Sequence, residues 1–113
     1  MHELTICEAL LERIAQERET RPFTHVRRVR LEVGQFSCVD PEALRYAFEI
    51  MNRGTFLEQA ILEIDRPRGR ATCLDCGADV ELDNRQDDCP ACDGGRLKPT
   101  GGDGMRFIEM EVV

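Results

Sequence analysis

Cys73, Cys76, Cys89 and Cys92 form two C-x-x-C pairs with twelve residues between them. A C-x-x-C turn brings two sulfurs close enough to share one ion, and two such turns facing each other complete a tetrahedral S₄ site. Gly77 follows the first pair and Gly94-Gly95 follow the second. Glycine at those places lets the backbone fold under the sulfurs and aim N–H groups at them. A closed Cys₄ zinc site has no open coordination position, so it builds structure and performs no chemistry. An S₄ site also accepts iron, which would make the chain a rubredoxin-like electron carrier, red when purified.

Charge narrows the partners. The chain has 113 residues and a net charge of −7, and a zinc-loaded S₄ site would take it to about −9. Phosphate contact begins with an excess of Lys and Arg. Between Pro67 and Gly104 stand five basic residues (Arg68, Arg70, Arg85, Arg96, Lys98) against eight acidic ones, with no aromatic residue for base stacking. Nucleic acid is not an expected partner. Glu3, Glu8 and Glu12 fall where a signal peptide would be basic and apolar. No apolar run approaches the roughly eighteen residues that span a bilayer, so the chain is expected to be cytoplasmic, without membrane insertion. Six cysteines in a reducing compartment mean metal ligands and free thiols in place of disulfides.

From Leu4 to about Arg18, apolar residues recur at Leu4, Cys7, Leu10, Leu11, Ile14 and Ala15, the spacing of a helix with one buried face. Thr5 and Glu8 have the spacing of a capping box. Arg21-Pro22 breaks the pattern, and Val29, Leu31 and Val33 then alternate with charged residues as in a half-buried strand. A second helix opens at Asp40 as N-cap with Pro41 in the first turn, buries Leu44, Ala47, Phe48 and Met51, and stops at Asn52-Arg53-Gly54. Ala60–Ile64 and Met105–Val113 read as two more strands. The fold expected is α+β: a small three-stranded sheet with two helices over residues 1–66 and 105–113, and an inserted Cys₄ zinc-ribbon-like module over 67–104. Poor in large apolar residues, that module depends on its metal for order.

The first residues are Met1-His2-Glu3. The α-amine of Met1, the backbone nitrogen of His2 and its ring Nδ1 can close a five- and a six-membered chelate ring on one ion. Glu3 could complete the plane through its backbone nitrogen or its carboxylate. Deprotonated amide nitrogens suit Ni²⁺ or Cu²⁺. His2 is too large for ready removal of the initiator methionine, so the spacing should persist.

Taken in order, His2-Glu3, the stretch Glu32-Val33-Gly34-Gln35-Phe36-Ser37-Cys38-Val39-Asp40-Pro41-Glu42-Ala43-Leu44, the Gly54-Thr55 turn and the C-x-x-C…C-P-x-C module resemble the HypA/HybF family of nickel metallochaperones for [NiFe]-hydrogenase maturation. The resemblance covers essentially the whole chain. It implies Ni²⁺, exchangeable, at Met1, His2 and Glu3, and structural Zn²⁺ at Cys73, Cys76, Cys89 and Cys92. It also implies cooperation with a HypB-type nickel GTPase and delivery to the [NiFe]-hydrogenase large-subunit precursor, with urease as a further recipient in some relatives. A homodimer is compatible with it. Tyr46 stands where the family tends to have Phe, and Leu57 and Gln59 replace smaller residues. No histidine flanks the zinc cysteines, which argues against pH-responsive zinc ligation.

Other residues have plainer expectations. Cys7 on the apolar helix face should be a core residue. Cys38 before the second helix should pack in its turn, and His25 should be a solvated residue at a strand entrance. Asp40 should cap its helix, and Arg27, Arg28 and Arg30 should form a solvated face or a partner surface. No Ser-His-Asp arrangement and no phosphate-binding glycine loop is present, so an enzyme is not expected. The rival to a nickel chaperone is an interaction module stapled by zinc, in which the N-terminus is inert.

Overall fold

The computed structural model describes residues 3–113, so Met1 and His2 lie outside it. The elements run α1 (Glu3–Thr20), β1 (Val26–Val33), α2 (Pro41–Met51), β2 (Ile61–Asp65), β3 (Gly69–Cys73), β4 (Asp79–Leu82), β5 (Leu97–Gly101) and β6 (Met105–Val112). Two three-stranded sheets form, with strand orders β2-β1-β6 and β4-β3-β5. The architecture is α+β with two helices and a zinc-ribbon-like cysteine module. The chain resolves into two compact units. One comprises the chain up to Leu31 with Val39–Ile64 and Phe107–Val113; the other comprises Glu32–Cys38 and Asp65–Arg106.

In the first unit, α1 packs against α2. The buried face of α1 is Ile6, Cys7, Leu10 and Ile14. Leu4, expected inside, is 56% exposed. At about 100° per residue, Leu4 lies roughly a third of a turn from Leu10, off the edge of the stripe that Ile6 and Ile14 complete. Thr5 lies within the helix, which is already formed at Glu3, so the Thr5–Glu8 capping box does not exist. Helix α2 follows its sequence signals, except that Met51, expected inside, is only half-buried. Asp40 accepts hydrogen bonds from the N–H groups of Glu42 (3.0 Å) and Ala43 (3.4 Å), and Leu44, Ala47 and Phe48 are buried. Asn52 caps the other end, its N–H donating to Phe48 O, and Gly54 turns away at φ +77°.

β1 is the central strand of the first sheet and buries Val26, Val29, Leu31 and Val33. On its other side the arginines are not simply solvated. Arg28 pairs with Glu63 (3.0 Å), Glu109 (3.3 Å) and Glu111 (3.7 Å), while Arg27 reaches Glu111 and Arg30 reaches Glu109. Acidic side chains from β2 and β6 thus flank the basic strand between them, and opposite charges across neighbouring strands favour that order. His25 is exposed at the entrance to β1, as its position suggested.

The second unit contains strands that the sequence pattern did not announce. β3 pairs antiparallel with β4 and with β5, with an irregularity between Arg70 and Ala71 on the β5 side. β5 carries Pro99, tolerated because β5 is an edge strand. The core here is small: Phe36, Ala71 and Leu82, with Val80 and Leu97 packed against it. Phe36 arrives from the segment after β1, held by Phe36 N–H to Gly102 O (2.8 Å), Gln35 N–H to Pro67 O (2.9 Å) and Gly34 N–H to Gly104 O (2.9 Å). A Cβ at Gly34 would overlap the carbonyl of Gly102, so only glycine allows this approach. Arg85 seals the plug, its guanidinium 5.2 Å from the Phe36 ring centroid and its Nη2 3.0 Å from Phe36 O.

Cys7 is a core residue, 3% exposed. Burial, with a smaller contribution from the carboxylate of Glu3, pushes its thiol from 9.0 up to about 11. The folded state therefore prefers the neutral thiol, whose contribution to stability is complete below pH 9 and is lost between pH 9 and 11. Cys38 departs from expectation: it is exposed and takes a left-handed conformation at φ +61° in place of packing. In metal-loaded protein, iodoacetamide at mildly alkaline pH should modify Cys38 and spare Cys7. The urea midpoint of the wild type should fall more steeply across that alkaline window than that of Cys7→Ala; equal slopes would deny Cys7 the role.

Candidate metal centre

Each C-x-x-C pair is a tight turn built to the same plan. In the first, Cys73 ends β3, Gly77 N–H donates to Cys73 O (2.8 Å), and Cys76 N–H points at Cys73 Sγ (3.4 Å). In the second, Asp93 N–H donates to Cys89 O (2.8 Å), and Gly94 N–H points at Cys92 Sγ (3.4 Å). The equivalent fifth residue is left-handed in both, Gly77 at φ +76° and Asp93 at φ +60°. So the expected glycine assistance is real but distributed differently. Gly94 sends its N–H to a sulfur, Gly77 supplies conformation, and Asp93, on which the sequence raised no expectation, takes the left-handed position of the second turn. The Asp93-Gly94-Gly95 run is a turn signal that could have revealed this, since Asp tolerates the left-handed region.

The two turns face each other. Cys73 and Cys92 sulfurs are 3.6 Å apart, Cys76 and Cys89 sulfurs 3.8 Å apart, and all four lie within 4.8 Å of one another. A tetrahedral ion with metal–sulfur bonds of about 2.3 Å needs sulfurs about 3.8 Å apart. The residues fit such an ion. Cys73 and Cys89 are buried, Cys76 and Cys92 exposed. Asp75 and Arg96 bridge the turns, with Arg96 Nη2 and Nε at 2.6 and 2.8 Å from Asp75 Oδ1, and Leu74 N–H donates to Arg96 O (2.8 Å). Nothing in the sequence spacing pointed to that pair.

The four thiols differ in acidity. The Cys76 N–H draws Cys73 down to about 7, against the cost of its burial and with help from the Asp75 N–H. Although the Gly94 N–H favours its thiolate, Cys92 is pushed up to about 12 by the sulfurs of Cys73 and Cys76. Cys76 is also raised, the Ala78 N–H notwithstanding, by burial and by the sulfurs beside it. Thiolates this close cannot all form without a cation between them. A divalent ion resolves the conflict and releases protons as it binds.

Of the N-terminal candidates, Glu3 opens α1 and is half-buried, while Met1 and His2 are outside the described residues. The sequence model of the family described as "Hydrogenase/urease nickel incorporation, metallochaperone, hypA" matches residues 1–112. This chain belongs to the HypA family. It is 46% identical over 113 residues to the hydrogenase maturation factor HypA of Beijerinckia indica, covering all of both chains. It is 46% identical over 114 residues to that of Paracoccus denitrificans, again over the full length of each. The fold agrees with the solution structure of the Ni metallochaperone HypA from Helicobacter pylori, with a TM-score of 0.67 and 23% identity over 100% of this chain and 98% of that one. The family is one of nickel-incorporation metallochaperones, and the relatives named are hydrogenase maturation factors. Among its described residues no helix is long and apolar enough to cross a membrane.

Two substitutions test the centre. A Cβ at Gly94 would overlap Asp75 Oδ2 and come to 3.1 Å from Cys92 Sγ. Gly94→Ala should therefore weaken metal retention in a chelator competition by about tenfold or more, as loss of a ligand-orienting contact typically does; unchanged retention would show the second turn to be pliable. Asp93→Val places a β-branched residue in the left-handed region and should cost about 1–2 kcal/mol in chemical denaturation, with Asp93→Gly neutral or stabilising.

Proposed function

We propose that this protein carries Ni²⁺ at Met1, His2 and Glu3, and that Cys73, Cys76, Cys89 and Cys92 hold a structural Zn²⁺. It passes nickel to the [NiFe]-hydrogenase large-subunit precursor in the cytoplasm, together with a HypB-type GTPase, and catalyses no reaction of its own. Supply of nickel to a urease fits the family description as well. The observation that carries this reading is the match to a nickel-incorporation family over residues 1–112 in a chain whose residues 1–3 are Met-His-Glu.

The chemistry supports a division of labour. A closed S₄ site exchanges its ion slowly and is suited to holding structure. A terminal chelate of amine, amide and imidazole nitrogens is open to an incoming ligand, which a transfer protein requires. Four sulfurs within 4.8 Å of one another support a tetrahedral ion such as zinc, and zinc adds no redox chemistry to a carrier.

Nickel titration calorimetry on untagged protein with its native N-terminus should give about one Ni²⁺ per chain. His2→Ala and a variant with one residue added before Met1 should both lose that binding. Because the amide must lose a proton, affinity should fall steeply on acidification. If all three proteins bind alike, or affinity is flat with pH, nickel sits elsewhere and the zinc-stapled interaction module becomes the better account.

A further inference from the structure

Helix α2 bears two apolar stripes where a surface helix needs one. Leu44, Ala47 and Phe48 are buried. Ala43, Tyr46 and Ile50, at i, i+3 and i+7, form a second stripe toward solvent, with Tyr46 68% and Ile50 39% exposed. Leu4 of α1, 56% exposed, joins them. Together with Glu3 and Ala47 these residues line one cavity of about 290 Å³. Tyr46 is the only tyrosine in the chain, and an aromatic side chain left in water amid other apolar groups marks a contact surface.

We infer that this α1–α2 surface, centred on Tyr46, is where the nickel-accepting protein docks, through an apolar projection flanked by lysines or arginines. The inference rests on the nickel reading above, because Glu3 lines the cavity. An acceptor whose ligands must reach an ion held by Met1, His2 and Glu3 has to cover the first turn of α1, where Leu4 stands. Charge sets the flank. Glu8, one turn on from Leu4, and Glu49, beside Tyr46 on α2, are exposed, and Glu42 is already engaged by Arg45 at 2.7 Å.

A second copy of the chain is a poorer occupant. A two-fold contact would set these carboxylates against their own equivalents in a chain of net charge −7. The three apolar side chains expose on the order of 300 Å², against about 800 Å² per partner in a standard stable interface. That size suits a brief encounter, which a metal hand-over requires.

The test uses full-length protein with its native N-terminus and, as probe, purified hydrogenase large-subunit precursor. Tyr46→Glu/Ile50→Glu should keep wild-type nickel binding and lose at least about tenfold in affinity for the precursor; should that double variant fail to fold, Tyr46→Ser serves in its place. Glu8→Lys/Glu49→Lys should slow association and flatten its salt dependence while dissociation changes little. His2→Ala should lose nickel and still dock, which separates the two readings. If His2→Ala keeps its nickel, the nickel site falls, and the Tyr46 variants alone judge the docking surface. Unchanged precursor affinity in the Tyr46 variants would overturn the inference. So would wild-type protein that ignores the precursor, or sedimentation showing that these substitutions abolish self-association instead.

Discussion

The mutual approach of four sulfurs is the constraint on which the cysteine-bearing unit rests. Its apolar core is Phe36, Ala71 and Leu82, with Val80 and Leu97 alongside, too little buried surface to offset the entropy of ordering about fifty residues. The two turns supply the missing order only when their sulfurs share a cation. Without one, thiols within 4.8 Å of one another hold each other's ionisation apart. The unit is therefore coupled to metal through charge as much as through geometry, and the backbone N–H groups aimed at Cys73 and Cys92 share in the stabilisation of the thiolates.

The same unit draws its largest core side chain from far away in sequence. Phe36 sits with Ala71 and Leu82 because the segment after β1 runs along Pro67 and Gly102–Gly104 by backbone hydrogen bonds. Gly34 makes the approach possible and Arg85 fixes the ring from its face. One consequence is that the metal-held unit is not the contiguous insert that its cysteine spacing suggests. It is completed by Glu32–Cys38, so ordering of the sulfurs and placement of Phe36 stabilise one another.

The other unit is conventional in its energetics and unusual in its surface. Buried stripes from α1, α2 and β1 make the core, while the outward side of β1 is neutralised by carboxylates of β2 and β6. Against that charged surface, the apolar cluster of Leu4, Tyr46 and Ile50 stands out. The four-sulfur cluster of the other unit, closed by its own ligands, suits an ion that stays in place.

Sequence by itself determined the elements whose signals are local. The C-x-x-C spacing foretold the sulfur cluster, the Asp40-Pro41 start and Leu44–Ala47–Phe48 stripe foretold α2, and the alternation of Val29, Leu31 and Val33 foretold β1, because capping and periodicity act within a few residues. The Met1–His2–Glu3 chelate was also read from adjacent residues, but Met1 and His2 lie outside the described residues and the chelate stands as a proposal. Tertiary structure decided what depends on distant ones. It turned Leu4 outward, since Ile6 and Ile14 filled the helix face. It formed β3, β4 and β5, whose short polar strands carry little periodic signal, and it joined Asp75 to Arg96 across the two turns. It also seated Phe36 in a core built from residues more than thirty positions away. Such contacts are chosen by packing and by close backbone approach in three dimensions, which no local pattern in the chain records.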